Sequence, residues 1–323
     1  MITDKAYMLC ILKVLQEYSD SSNIVTMSQL KAHLKNDYDI TPDRRTIYAA
    51  IDALIDMGYD ISKYDENATG YYLREREFEP SEIRLLLDAV YNCSYITQKQ
   101  TEELLAKIRN FLSVNERKKY SYTNIINPDK KSPNQQVFLN IEILDEAINQ
   151  RKQIEFTYLK YDENKELVAR REKKYLANPY AMICEDEHYY LVMMLEGHSD
   201  LSFYRVEMMK DIEILDSKIS VSSRAANLDS IKKIVYAYSG EPKQIVLSCD
   251  EIGLRYAIEK FGKEIHIRKK KTEEGAKVSY EIIMTAPAEG MLYWALQYME
   301  HIEVLAPDEL RAKITKVIKE SNY

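Results

Sequence analysis

The stretch TPDRRTIYAAIDALIDMG, residues 41–58, decides the fold of the N-terminal part of the chain. Thr41 is a typical helix N-cap, and Pro42 suits the first helical position, where its missing N–H costs nothing. Gly58 is typical of the residue that ends a helix. The apolar residues recur at helical spacing and predict one buried face: Ile47, Ile51, Leu54 and Ile55. The stretch therefore predicts a helix that ends at about Met57.

Two further helices and a hairpin surround this stretch. Residues 1–18 and 26–36 each carry an apolar stripe at helical spacing. After the third helix, two short alternating runs at 59–64 and 71–74 flank the turn residues DENATG. Three helices followed by a hairpin predict a winged helix-turn-helix domain over residues 1–78.

The third helix has polar residues in its first two turns, where a helix-turn-helix protein contacts base edges. Arg44 and Arg45 offer guanidinium forks to guanine or phosphate. Backbone N–H groups near Ser28 add a phosphate contact, and Lys63 on the hairpin reaches an adjacent groove or phosphate. The predicted DNA-binding residues are Ser28, Arg44, Arg45, Thr46, Tyr48 and Lys63. Alternatively the arginines are solvated surface, since residues 1–78 hold 9 Lys+Arg against 13 Asp+Glu.

The remaining chain divides into three parts. Residues 79–134 predict a helical linker region, with two amphipathic helices and a polar segment from 113 onward. Within 135–220 a helix precedes short strands of period two, which fit a small closed β-barrel. Residues 221–323 alternate strands with helices and predict a compact α+β domain. The fold class is therefore α+β and multidomain.

Composition excludes several classes of protein. The 323 residues carry a net charge of −7, so the chain is not a globally basic nucleic-acid binder. No apolar run is long enough to span a bilayer and no signal peptide is evident, so we expect a cytoplasmic protein without membrane contact. The four cysteines and five histidines are scattered, so we expect reduced thiols, no metal and no cofactor.

Catalytic signatures are missing from the sequence. It contains no GxxxxGK[ST], GxGxxG, GxSxG or HExxH pattern. His198, Ser199 and Asp200 are adjacent in one predicted loop and cannot orient one another as a triad, so we interpret them as a turn. We expect no catalytic residues and no enzymatic activity.

A set of short motifs follows the same order as in one known family. The N-terminal motifs are 43–48 and 52–61, the barrel motifs are 154–158, 178–180, 189–191 and 204–207, and the C-terminal motifs are 261–262, Trp294 and 305–310. Together they resemble the WYL-domain transcriptional regulators, over nearly the whole chain. The resemblance implies a winged helix-turn-helix, a WYL barrel similar to Sm-like and SH3-like folds, and a C-terminal WCX extension domain.

Three positions depart from the pattern of that family. Tyr189 stands where the name-giving tryptophan usually lies. Glu207-Met208 stands where members often have Asp-Arg, so one cation of the implied effector pocket is missing. Ala49-Ala50 replaces an Arg-Asp pair that is frequent in the recognition helix, so we expect a different operator or weaker binding.

The resemblance also implies that the barrel senses a ligand, which in some members is a nucleic acid. The predicted effector-binding residues are Tyr158, Arg170, Arg171, Lys174, Tyr190 and Arg205. Arginine with tyrosine suits an anionic ligand that has a flat face, such as a nucleotide or a single-stranded nucleic acid. Alternatively Tyr158 and Tyr190 are core residues with satisfied hydroxyls, and residues 170–174 are a solvated strand end. His188 is interpreted as a turn residue.

The sequence thus favours a homodimeric transcription factor that binds a double-stranded DNA operator and responds to an anionic effector. An alternative is a nucleic-acid sensor that regulates a defence or repair system mainly through protein contacts, with the winged helix as a dimerisation module. An enzyme acting on nucleotides is the least supported alternative, because no nucleophile or paired carboxylates occur at usable spacing.

Overall fold

The computed structural model describes residues 6–120, 130–185, 187–198, 200–219, 242–270 and 278–321. The chain forms two compact units, Met1–Pro133 and Asn134–Tyr323. The first is mostly helical and the second contains two larger sheets. The predicted α+β multidomain class is confirmed at this level.

Three helices form the core of the first unit. They are α1 (Tyr7–Tyr18), α2 (Met27–Tyr38) and α3 (Arg44–Asp56). Their apolar faces meet in one cluster whose central side chains are fully buried: Ile11, Leu15, Leu30, Leu34 and Ile47. The expected cap of α3 is wrong by two residues. Asp43 caps the helix, because its carboxylate accepts from the backbone N–H of Thr46 at 2.8 Å, and Thr41-Pro42 precedes the helix.

The predicted hairpin is present and contains a helical turn. It consists of β1 (Ile61–Ser62), the four-residue α4 (Tyr64–Asn67) and β2 (Tyr72–Leu73). Val25 adds an antiparallel bridge to Tyr71. At Gly70 the chain passes so close to Val25 that a Cβ would lie 2.2 Å from the Val25 carbonyl oxygen. Glycine is therefore required where the hairpin meets the start of α2.

Three more helices complete the first unit. They are α5 (Pro80–Asn92), α6 (Gln98–Arg109) and α7 (Val114–Lys119). Helix α7 lies in the polar segment that we expected to be a linker, so this expectation is wrong for residues 113–119. Residues 121–129 of the same segment lie outside the residues that the structure describes. Ser113, the N-cap of α7, donates to Asp20 at 2.7 Å, and Arg117 forms two bonds to Glu17, at 2.8 and 2.7 Å. These contacts fasten α7 to α1.

The second unit begins with a helix and a six-stranded antiparallel sheet. The elements are α8 (Val137–Gln150), β3 (Lys152–Tyr161), β4 (Leu167–Ala169), β5 (Tyr175–Glu185), β6 (His188–Leu195), β7 (Leu201–Arg205), a 3₁₀ turn (Val206–Met208) and β8 (Met209–Lys218). The sheet order is β4-β3-β5-β6-β7, with β8 also paired to β3. The buried residues of α8 and the sheet form one core that includes Leu144, Phe156 and Leu191.

The expectation of a closed barrel is wrong for the described residues. Strand β3 has partners on both sides, but no strand pairing joins β7 to β8. The 3₁₀ turn Val206–Met208 stands between these two strands and redirects the chain, so that β8 pairs with β3 instead. Two buried asparagines hold the turn. Asn140 donates to the carbonyls of Val206 and Met209, and Asn134 donates to those of Glu207 and Met209.

The C-terminal part has its own sheet and core. Its elements are β9 (Pro242–Cys249), α9 (Glu251–Phe261), β10 (His266–Lys269), β11 (Tyr280–Pro287), α10 (Ala288–Gln297), β12 (Ile302–Ala306) and α11 (Asp308–Glu320). The strand order is β10-β11-β9-β12, and Trp294 is buried against the sheet. The predicted boundary at 220/221 lies outside the described residues, and the four-domain division stays a prediction. Among the described helices, none has the length and apolar character to cross a membrane.

Candidate functional site

A groove of about 700 Å³ lies between the start of α2, the exposed face of α3 and the hairpin. We call it the α3 groove. Four of the six predicted DNA-binding residues line it: Ser28, Arg44, Tyr48 and Lys63. Arg45 and Thr46 do not. The structure therefore brings most, but not all, of the predicted DNA-binding residues together in this groove.

The arginines at the start of α3 are exposed. Neither the Arg44 nor the Arg45 side chain forms an ion pair with any residue that the structure describes. Thr46 is half-buried, and its backbone N–H already donates to Asp43. This bond holds the pKa of the Asp43 carboxyl below its usual value. Two unpaired guanidinium groups thus stand beside the N-terminus of a capped helix, where they can receive an anion.

The hairpin side of the groove is acidic. Asp52 and Asp65 line it, and the Asp52 carboxylate lies 3.1 Å from the Lys63 ammonium. Tyr71 forms part of the wall, and burial raises its pKa to about 12, with the neighbouring Tyr48 phenol adding to the rise. The sequence interpretation missed Asp52 and Asp65. The signal for Asp52 was its place four residues after Tyr48, on the same helix face.

A cluster of tyrosines lies in the six-stranded sheet formed by β3 to β8. The ring of Tyr204 is 4.5 Å from that of Tyr158 and 5.6 Å from that of Tyr175. The Arg171 guanidinium stands 3.5 Å from the centre of the Tyr175 ring, a cation–π contact. Burial raises the pKa of Tyr204, and the charges of Arg170 and Arg171 oppose part of that rise. The structure therefore brings Tyr158, Arg170 and Arg171 together with two tyrosines that sequence reasoning missed.

Tyr158 itself is deep in this cluster. Burial raises its pKa to about 12, and its hydroxyl accepts from the backbone N–H of Arg205 at 3.3 Å. This is the geometry expected of a core tyrosine with a satisfied hydroxyl. Lys174 is separate from the cluster, since its ammonium pairs with Glu213 at 2.6 Å and Glu155 at 3.7 Å. The bond to Glu213 and the nearby carboxylates raise the pKa of Lys174.

Arg205 is held by a buried carboxylate. Its Nε donates to Oε1 of Glu207 at 2.7 Å, and His188 Nδ1 lies 3.1 Å from the same oxygen. Glu207 is only 2% exposed, and its other oxygen has no hydrogen-bond partner among the described residues. Sequence reasoning missed this role of Glu207. The interpretation of His188 as a turn residue is wrong, because it begins β6 and faces Glu207.

Tyr190 and Arg205 are cross-strand partners in β6 and β7. Side chains of paired residues project to the same side of a sheet, so these two predicted effector residues share a face. The predicted effector-binding residues thus fall into three places. Tyr158, Arg170 and Arg171 belong to the tyrosine cluster, Tyr190 and Arg205 form a cross-strand pair, and Lys174 is paired with two carboxylates.

Residues 140–214, from α8 to β8, match the family model of the WYL domain. These residues form a WYL domain. The WYL domain contains the tyrosine cluster and the Arg205–Glu207 pair. The match supports the predicted resemblance at the residues that carry the barrel motifs.

Two solved structures are similar at low identity. Proteasome accessory factor B/C (PafBC) of Arthrobacter aurescens has 15% identity and a TM-score of 0.25, over 98% of this chain and 46% of that chain. A CRISPR Cas-related protein has 13% identity and a TM-score of 0.38, over 76% of this chain and 73% of that one. The WYL-domain chain thus spans less than half the length of PafBC, and neither likeness carries an argument about function. No curated protein matches the chain.

The described residues also bear on metal binding. Within the ranges given above, no three His, Cys, Asp or Glu residues are grouped so as to hold a metal ion. The absence of a metal and of a cofactor stays an expectation.

Proposed function

We propose that the chain is a transcription regulator that binds duplex DNA through the α3 groove. The observation that carries this proposal is the pair of exposed, unpaired arginines at the start of α3, one of them lining the groove. The three helices and the hairpin then act as a winged helix-turn-helix, with α3 as the recognition helix. The N-terminus of α2 at Ser28 adds backbone N–H groups for a phosphate.

The experiment is the double variant Arg44→Ala/Arg45→Ala in the full chain. Binding to sheared genomic duplex DNA should fall by at least tenfold, because a bidentate arginine contact contributes about 1–3 kcal/mol. The slope of log K against log salt should fall by about 0.9 for each arginine that contacts a phosphate. Fluorescence anisotropy at several salt concentrations measures both quantities.

The matched control is Lys99→Ala/Lys107→Ala on α6. These lysines are exposed, belong to the same compact unit and do not line the groove. The control removes the same charge, so it should change binding little. Equal binding by the wild type and the arginine variant would overturn the assignment of α3 as recognition helix.

We further propose that the WYL domain senses an anionic effector, with a nucleotide or short single-stranded nucleic acid as the expected class. Two features support this proposal: Arg205 and Tyr190 share one sheet face, and a separate cluster combines Arg171 with tyrosine rings. The effector biases DNA binding only if it binds two states with different affinity. Arg205→Ala should leave duplex affinity intact and abolish its change on addition of short oligonucleotides. An unaltered response would remove Arg205 from the site.

The quaternary state and cellular role complete the proposal. We propose a homodimer in the cytoplasm, because paired winged helices read two-fold-related half-sites, and we assign no catalytic step. The acidic balance of residues 1–78 favours the alternative of a nucleic-acid sensor acting through protein contacts. Tight binding of single strands without duplex preference would support that alternative.

A further inference from the structure

Lys63 differs from the other cation that lines the α3 groove. Arg44 has no ion-pair partner among the described residues, whereas Lys63 is 3.1 Å from the carboxylate of Asp52. This pair joins the hairpin to the third turn of α3. Both side chains are open to solvent, with 40% and 62% of their surfaces exposed. An exposed pair of this kind contributes little to stability, so its effect on ligands of the groove is the more relevant property.

Asp52 lies on the face of α3 that the groove exposes. It follows Tyr48 by four residues, a spacing that makes two side chains neighbours on a helix, and it lies about two turns beyond Arg44. All three line the groove. Asp65 lines the same end from the hairpin, and the charges of both carboxylates contribute to the raised pKa of Tyr71. The groove is therefore cationic at the start of α3 and acidic toward the hairpin.

A DNA backbone lying along this groove meets attraction at one end and repulsion at the other. Arg44 attracts phosphate, while Asp52 repels it and also pairs with Lys63, the lysine found among the described residues that line the groove. A phosphate that binds Lys63 must share the ammonium with the Asp52 carboxylate or displace it, and sharing brings two negative groups close together. Non-specific binding is most affected, because it is almost entirely electrostatic.

We propose that Asp52 is an electrostatic lock on the DNA-binding face: it retains Lys63 and weakens every duplex contact that does not release the lysine to a phosphate. This inference rests on the proposed function of the groove. Asp52 is then a positioning residue, which acts on DNA through Lys63 and keeps sequence-independent binding weak.

The test compares Asp52→Asn with Asp56→Asn in the full chain. Asp56 is the last residue of α3, is exposed, forms no ion pair among the described residues and does not line the groove. Each variant removes one negative charge from the same helix, but only Asp52→Asn removes the charge that pairs with Lys63. The probe is a random-sequence duplex, with affinities measured by fluorescence anisotropy from 50 to 200 mM salt.

Asp52→Asn should bind the duplex more tightly than Asp56→Asn at every salt concentration. One additional phosphate contact steepens the salt slope by about 0.9, so the advantage at 50 mM should be about 3.5 times that at 200 mM. Adding Lys63→Gln to Asp52→Asn should remove the extra slope. Both aspartates are exposed, so circular dichroism should show the same fold for all variants.

Equal affinity and slope for the two aspartate variants would overturn the lock. So would weaker binding of the random-sequence duplex by Asp52→Asn than by Asp56→Asn, since Asp52 would then favour duplex binding instead of opposing it. Suppose that the wild type binds duplex DNA and that Arg44→Ala/Arg45→Ala abolishes this binding. Either of the two results above would then overturn the Asp52 lock and leave the proposed function of the groove standing. If neither the wild type nor Asp52→Asn binds duplex, the proposed function fails and the lock fails with it.

Discussion

Arg44 and Arg45 in the N-terminal unit are exposed and unpaired among the described residues, whereas Arg205 in the WYL domain donates to the buried Glu207. Arg171 likewise rests on the Tyr175 ring. A ligand of the α3 groove meets no competing ion-pair partner at Arg44 among the described residues. A ligand of the WYL domain must compete with partners that the protein itself supplies.

This difference sets what each region discriminates. Free guanidinium groups attract any polyanion, and their affinity varies steeply with salt. An arginine held by a buried carboxylate responds only to a ligand that offers a better partner than the carboxylate, because opening the pair leaves a buried charge unpaired. Lys63 is intermediate, since it is paired but exposed. The arrangement suits broad electrostatic attraction at one region and selective response at the other.

The largest effect should come from loosening the turn that carries Glu207. Asn140 is 2% exposed and donates to the carbonyls of Val206 and Met209. Asn140→Ala should lower the free energy of unfolding by about 2–3 kcal/mol, because two buried hydrogen bonds to the turn are lost. Urea denaturation measures the loss. Asn164→Ala, on an exposed turn, should stay within about 0.5 kcal/mol of the wild type; similar losses for both variants would mean that the turn is not held in this way.

A second variant gives the WYL domain an arginine without a charged partner, as Arg44 is among the described residues of the α3 groove. Glu207→Gln keeps a side-chain acceptor for Arg205 but removes the competing charge. Inorganic pyrophosphate should then bind roughly tenfold more tightly, because a charged guanidinium is released to the anion. Isothermal titration calorimetry measures this affinity. Glu172→Gln removes the same charge from an exposed site in the same domain and should have little effect. If the two variants bind pyrophosphate equally, Glu207 does not restrain Arg205.

The smallest effect should come from Asp20, a hydrogen-bonded carboxylate of the N-terminal unit that does not line the α3 groove. Burial raises the pKa of Asp20, but hydrogen bonds from Ser113 and Asn23 outweigh it, so the pKa is lowered overall. A lowered carboxyl pKa stabilises the fold above its unfolded value of about 4 and ceases to do so as the pH falls through the folded value. Asp20→Asn should therefore cost about 1 kcal/mol at pH 7 and less at pH 3. Urea denaturation at both pH values tests this, and a cost that grows toward pH 3 would contradict it.

Local patterns predicted the parts of the structure that depend on nearby residues. The apolar spacing of residues 41–58 predicted α3 and its exposed arginines, although Asp43 and not Thr41 caps the helix. An Asp carboxylate and a Thr hydroxyl are both good caps, so the sequence alone did not separate them. Four of the six predicted DNA-binding residues line the α3 groove, because helix spacing and hairpin position are local properties.

Contacts between distant residues were not predictable from spacing. We expected a closed barrel because the period-two pattern shows how many strands there are but not which strands pair. In the structure, the 3₁₀ turn lies between β7 and β8, and these two strands do not pair. The buried partner of His188 is Glu207, nineteen residues away. Asp52 and Lys63 are eleven residues apart and meet only because the hairpin folds against α3. These pairs depend on tertiary packing, which a single sequence does not display.

The docking of α7 on α1 changes how the N-terminal unit, the proposed DNA-binding part of the chain, should be isolated. Cutting after residue 78, where the sequence places the end of the first domain, would leave Glu17 and Asp20 without Arg117 and Ser113. It would also expose the side of α1 that these groups cover. A fragment that keeps Ser113 and Arg117 together with all of α7 extends through Lys119, and this longer piece is the one to test for duplex binding.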